Sequence, residues 1–199
     1  MARPRTFTDA QILEAARATF LEKGAHVSTT VIAKAIGLSQ AALFKRFKTK
    51  NNLLIRALIP KMDAPWMRRL EAGPTDQAID EQLVEIGVEA VQWFRAMVPR
   101  VLVLRSAGLQ PSLLAQYLDE LPPVRVIRLF TQFVQAAVEK GQMADVDPNV
   151  FAIQLMGALH GRVFFTHMFN LPPIPADDVA YVTQIVANLW QGTAPSESP

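Results

Sequence analysis

Apolar residues recur along this chain at intervals of three and four, and no run of alternation is long enough to make a strand. An all-α fold of about nine helices follows. The first helix is predicted from Thr8 to Lys23, with Ile12, Leu13, Ala16, Phe20 and Leu21 as its inner stripe and Gly24 as its stop. Two short helices come next. Ser28 can cap the first, in which Val31, Ile32, Ala35 and Ile36 recur at helical spacing, and Gly37 supplies the left-handed conformation that a helix end favours. Leu38 plugs the corner, Ser39 offers a second N-cap, and Gln40 to Phe47 follows with Leu43 and Phe47 inward.

Thr49 can cap a fourth helix that begins at Lys50 and meets Pro60, then Pro65, where it must kink or end. Gly73-Pro74 breaks the chain before a long amphipathic helix from Thr75 or Asp76 to about Met97. Pro99, Pro111 and the pair Pro122-Pro123 then punctuate two shorter helices. A further long helix runs from Val124 to Lys140 and is closed by Gly141. Asp147-Pro148, an N-cap followed by a proline at the first helical position, opens a helix to about Asn170. Pro172-Pro173-Ile174-Pro175 links it to a last helix, Asp177 to about Gln191, and the composition of 193–199 predicts a disordered tail.

Two short helices broken at one glycine have the shape of a helix-turn-helix, whose second helix enters the major groove of DNA. Here that helix presents Gln40, Ala41, Phe44, Lys45 and Arg46 on its outer side. Charge points the same way: residues 1–56 hold ten Lys and Arg against three Asp and Glu, whereas the remainder holds ten against fifteen. A polyanion partner is the direct electrostatic reading of the first segment. A solvated basic face would explain the charge alone, but not the crowding of Lys45, Arg46, Lys48 and Lys50 around the reading helix.

Composition narrows the class. Half of the 199 residues are hydrophobic, enough for a sizeable core, and there is no cysteine, which excludes disulfides and thiolate metal sites. No apolar run approaches the roughly 20 residues that span a bilayer, and no basic-then-apolar leader is seen, so a cytoplasmic location without membrane contact is expected. An enzyme finds no support in a gathered nucleophile and base, a phosphate-cradling glycine loop or a metal constellation, and Glu81, Glu85 and Glu89 read as a solvated face. His160 and His167 lie two turns apart with only His26 elsewhere, so no metal site is completed and no cofactor is expected.

The segment TFTDAQILEAARATFLEKGAHVSTTVIAKAIGLSQAALFKRFKTKNNLL resembles the N-terminal domain of the TetR family of bacterial transcriptional regulators. The marks are in register: ILEAA, Phe20, Lys23-Gly24, Ile32-Ala33, Gly37-Leu38-Ser39, Leu43-Phe44, Phe47, and Lys50 before Leu53-Leu54. The resemblance implies that Gln40, Ala41 and Lys45 face base edges while Ser28, Thr29, Ser39 and Lys50 hold phosphates. The chemistry suits those roles, since Gln pairs bidentately with adenine, Lys donates to guanine, and a small Ala admits a thymine methyl. Two positions depart from the family: Phe44 replaces its usual tyrosine and Arg46 its frequent histidine, so Arg46 is expected to supply by charge the phosphate contact that Phe44 cannot. Lys48 adds charge beside them, and Arg3 and Arg5 could reach phosphates or a minor groove.

The same resemblance implies a three-helix DNA-binding domain in residues 1–49 and a larger helical domain for effector binding and dimerisation in 50–192. It further implies a homodimer, built by the last two long helices, that leaves its operator DNA when a small-molecule effector binds. Gly157 and Gly161 share one helix face with Phe165 and Met168 and are the candidate dimer interface; a close helix crossing inside one subunit is the competing reading. Met62, Trp66, Trp93, Met97, Phe130, Phe133, Met156 and His160 are candidates to enclose an apolar effector, or are simply core. Phe94 belongs to the same apolar middle, and Val163 and His167 continue the Met156 and His160 line. A helix-turn-helix regulator governed by a protein or DNA-bound partner is the alternative, and a helical enzyme a further one.

Overall fold

Side-chain caps set where most of these helices begin. In the computed structural model, which describes residues 7–59, 62–109, 117–172 and 177–191, Thr8 and Gln11 form a reciprocal capping box. Ser28, Ser39, Thr49, Asp147 and Asp177 each accept a hydrogen bond from a backbone N–H of the first turn they precede. The described residues form nine helices and no strand: α1 (Asp9–Lys23), α2 (Thr29–Ala35), α3 (Gln40–Phe47), α4 (Lys50–Leu58), α5 (Pro65–Ala72), α6 (Ile79–Ser106), α7 (Pro122–Glu139), α8 (Pro148–Phe169) and α9 (Asp178–Trp190). The all-α expectation holds.

The chain divides into two compact units, one from residues 1–60 with 99–118, the other from 61–98 with 119–199. In the first, Ile12, Ala16 and Phe20 of α1, Ile32 and Ala33 of α2, Leu43 and Phe47 of α3, and Leu53, Leu54 and Leu58 of α4 share one core with Leu104 and Leu109. Packing thus groups α4 with the helix-turn-helix, whereas the motif boundary drawn from sequence falls at residue 49. Arg17 reinforces the grouping by donating from Nε to the Ala57 carbonyl at 2.9 Å. In the second unit α7 packs along α8, against α5 on another side, and α9 packs on α8.

Of three sequence expectations, two need correction and one is narrowed. The long helix begins at Ile79 rather than Thr75 or Asp76 and does not stop before Pro99, which lies inside α6. A proline there removes the N–H that would bond the Arg95 carbonyl, a disruption of about 3 kcal/mol. Burial of Met97 and Val98 before it and Leu104 beyond it holds the helix on both sides. Second, of the kink or end expected of the fourth helix, the structure has the end: α4 stops at Leu58, and Pro65 opens α5 at its first turn. Third, Leu21, Val31 and Ala35 are exposed although their spacing marks an inner stripe, because the buried faces of α1 and α2 are narrower than the apolar pattern. Arg3, Arg5, Pro60, Pro111, Pro173 to Pro175 and the tail 193–199 lie outside the described residues.

Candidate functional site

The turn between α2 and α3 is made by backbone. Gly37 adopts φ +68°, and the Leu38 N–H donates back to the Ala33 carbonyl at 2.9 Å, closing α2 as the left-handed glycine cap requires. Leu38 tucks against the core at the corner. This leaves α3 with Leu43 and Phe47 buried, Gln40, Ala41 and Lys45 exposed, and Phe44 half-buried. The exposed face carries an amide and a methyl in the first turn and an ammonium in the next, groups that can meet the donors, acceptors and methyls of base edges.

Polar neighbours frame that face. Ser28 and Ser39 are exposed, and their Oγ atoms accept from the N–H groups of Val31 and Ala42. Each hydroxyl keeps its own proton to donate. Thr29 differs: it is 6% exposed, and its Oγ1 accepts from Gln40 Nε2 at 2.7 Å. Arg46 is also engaged, donating to the Phe7 carbonyl at 2.5 Å and to Asp9 at 3.3 Å, at the start of α1. Lys48 is exposed and holds φ +63°, ψ −58°, with the Thr49 N–H donating to the Phe47 carbonyl at 2.7 Å. This γ-turn aims Thr49 to cap α4, whose first residue is the half-buried Lys50.

Family models match both parts of the chain: residues 12–57 match the bacterial regulatory proteins of the tetR family, and residues 81–189 match the C-terminal domain of AefR-like transcriptional repressors. The second match alone spans more than half of the 199 residues. The chain belongs to the TetR family. It is a DNA-binding transcriptional regulator, and α2 and α3 are its helix-turn-helix. Solved structures share the fold. A TetR-family protein from Mesorhizobium loti is 17% identical, with a TM-score of 0.74 over 94% of this chain and 96% of that one. FadR from Bacillus subtilis, solved with stearoyl-CoA, is 20% identical, with a TM-score of 0.68 over 93% and 99%. SmeT, solved with triclosan, is 19% identical, with a TM-score of 0.65 over 94% and 95%. No curated protein matches the chain in sequence.

In the larger unit of this TetR-family chain, the candidate effector residues meet as an aromatic chain. Trp66, 1% exposed, lies 5.7 Å from Trp93, 6.2 Å from Phe94 and 6.0 Å from Phe130, measured between ring centroids. Phe94 continues to His160 at 5.4 Å, and His160 stacks on Phe164 at 5.9 Å. Met97 and Phe133 are buried, whereas Met62, Trp93, Met156 and His160 are half-buried. Burial pushes the His160 imidazole below its ordinary pKa. Val163 is buried and His167 exposed, so the line predicted from Met156 to His167 does not face one environment.

The candidate dimer residues lie open. A Cβ added at Gly157 would meet nothing within 4 Å, so this glycine does not mark a crossing within the subunit. The close internal crossing is at Gly87 instead, where a Cβ would stand 2.7 Å from a Val182 methyl and 3.6 Å from Leu159. Phe165, Met168 and Phe169 are exposed on α8, and Gly157, Gly161, Phe165, Leu171 and Tyr181 line a shallow depression of about 380 Å³. Beneath it Arg162 is buried, donates to Asp178 at 3.1 Å and lies 4.4 Å over the Tyr181 ring. Asp178 also holds Arg95 at 2.7 Å. Sequence reasoning missed Arg162, though a lone charge within Leu159-His160-Gly161-Arg162-Val163-Phe164-Phe165 was its signal. The Glu85 and Glu89 carboxylates, expected to be merely solvated, both pair with Arg69 across from α5.

Proposed function

We propose that this regulator is a homodimeric repressor in the cytoplasm, whose two α3 helices read the half-sites of an operator and whose affinity for that operator falls when a small, largely apolar effector binds the larger unit. The observation that carries the DNA reading is the α3 face, where Gln40, Ala41 and Lys45 are exposed while Leu43 and Phe47 lock the helix into the core. Lys48 and Lys50 follow directly and supply phosphate attraction without base preference. One such helix reads few base pairs, and two-fold pairing doubles the contact. The open apolar face of Gly157, Phe165 and Phe169 supplies a surface for that pairing.

Apolar effectors are supported by the aromatic lining around Trp93 and His160, and by neighbours that hold stearoyl-CoA and triclosan, molecules with large apolar parts. Such a molecule acts only through its different affinities for the DNA-competent and DNA-released conformations. The experiment is duplex binding across a salt series. Lys50→Ala weakens all duplexes alike and reduces the salt slope by about one, whereas Gln40→Ala loses discrimination at one base position. The DNA reading fails if Gln40, Lys45 and Lys50 can all be replaced without effect. A second reading, control by a protein partner, draws on the tight packing of Trp66 among Trp93, Phe94 and Phe130, which fills the space beside it. A thermal-shift screen of apolar compounds separates the two, because a bound effector raises the unfolding temperature.

A further inference from the structure

Gln40 is the first residue of α3 and is exposed, yet its amide is not free: Nε2 donates at 2.7 Å to Oγ1 of Thr29, eleven residues earlier at the first position of α2. Thr29 is 6% exposed, so the Thr29 end of this bond is screened from water in the corner between the two helices, while the Gln40 end stays accessible. A primary amide has two protons to donate and one oxygen that accepts. With one proton committed to Thr29, Gln40 keeps one N–H and its Oε1 for a base, a single donor beside an acceptor. An unanchored glutamine has both amide protons to offer.

The consequence lies in which base the fixed amide fits. Adenine presents the acceptor N7 beside the donor N6 in the major groove, which matches a neighbouring N–H and C=O. Guanine presents two acceptors, N7 and O6, and sets one of them against Oε1, whereas an amide released from Thr29 could aim both of its N–H protons at the pair. We propose that Thr29 is a positioning residue for Gln40, fixing its amide so that α3 selects adenine over guanine at one operator position. The proposal rests on the reading of Gln40 as a base-contacting residue. It differs from the sequence expectation for Thr29, which was a phosphate contact.

The test uses the full-length protein and duplexes that it selects from a randomised double-stranded pool, with single-base variants of the selected duplex as probes. Gln40→Ala first identifies the position at which discrimination depends on Gln40. Thr29→Val, which keeps the shape and removes the hydroxyl, is then expected to lose about tenfold of the adenine-over-guanine preference at that same position, with the salt slope and circular dichroism unchanged. Thr29→Ser restores the preference. Thr29→Val combined with Gln40→Ala matches Gln40→Ala alone, since the hydroxyl acts only through the amide. Should Thr29→Val not fold, Thr29→Ala is compared with Thr29→Ser on the same probes. The inference is overturned if the variant without the hydroxyl keeps the preference, if it loses affinity evenly over all duplexes as a phosphate contact would, or if it binds more tightly because Gln40 has been released from a held-back position. If Gln40→Ala changes no position, both this inference and the reading beneath it fail; if Gln40→Ala does and the Thr29 variants do not, only the inference falls.

Discussion

Lys48 holds a backbone conformation, φ +63° and ψ −58°, that residues with a Cβ rarely adopt, and it does so at the junction of α3 and α4. Such a residue costs on the order of 1–3 kcal/mol, which a glycine would relieve, less about 0.5–1 kcal/mol for its greater freedom in the unfolded chain. Lys48→Gly should therefore be neutral or stabilising by about 1 kcal/mol in thermal unfolding, while weakening duplex binding and lowering its salt slope. If the unfolding temperature drops sharply, the turn is not strained as described. A different residue-scale effect belongs to His160. Burial lowers its pKa from the ordinary 6.5, so the unfolded chain takes up this proton more readily than the native one. The related stability is complete above 6.5 and is lost as pH falls below that value toward the native pKa. Replacing His160 with glutamine should remove this slope, and the unfolding temperature of the variant should gain on that of the native protein between about pH 7.5 and about pH 5.5.

Between elements, the decisive contact is the approach of α6 to α8 and α9 at Gly87. A methyl placed there would meet the Val182 side chain at 2.7 Å, and valine has few rotamers with which to retreat. Gly87→Ala should destabilise by about 1–3 kcal/mol, an overpacking effect visible as a lower denaturation midpoint with an unchanged slope. An unchanged midpoint would mean that the helices part easily. The helix starts were legible because a cap is local: Ser28, Ser39, Thr49, Asp147 and Asp177 each bond within their own first turn. The run of α6 through Pro99 was not, since a proline stops a helix unless burial on both sides outweighs its missing hydrogen bond, and that burial involves residues far away in the chain.

For the whole molecule, the exposed apolar face around Gly157 matters most, with Phe165 at 55% and Phe169 at 58% exposed. A contiguous patch of this kind commonly marks an association surface. In the proposed homodimer it is covered by its two-fold copy, so Phe165→Glu with Phe169→Glu would bury charge without a partner. Sedimentation should show the doubly substituted protein as a monomer with native helical content, and its duplex affinity should fall because one reading helix acts alone. A dimer that persists would place the interface elsewhere. Only part of this surface was visible beforehand. The spacing of Gly157, Gly161, Phe165 and Met168 defines a helix face, but whether a neighbouring helix of the same chain covers it depends on the fold.

By itself the sequence determined the all-helical class, most helix beginnings, the helix-turn-helix and its basic flank. These depend on periodicity, caps and charge, which act between residues a few positions apart. Tertiary structure alone decided which polar groups are already engaged. Thr29 holds Gln40 across eleven residues, Arg46 is drawn to Phe7 and Asp9, and Arg162 is paired beneath the open face by Asp178. No local rule relates such residues, because their meeting depends on how the helices pack, and the free energy of a buried hydrogen bond or ion pair exists only once that packing has excluded water.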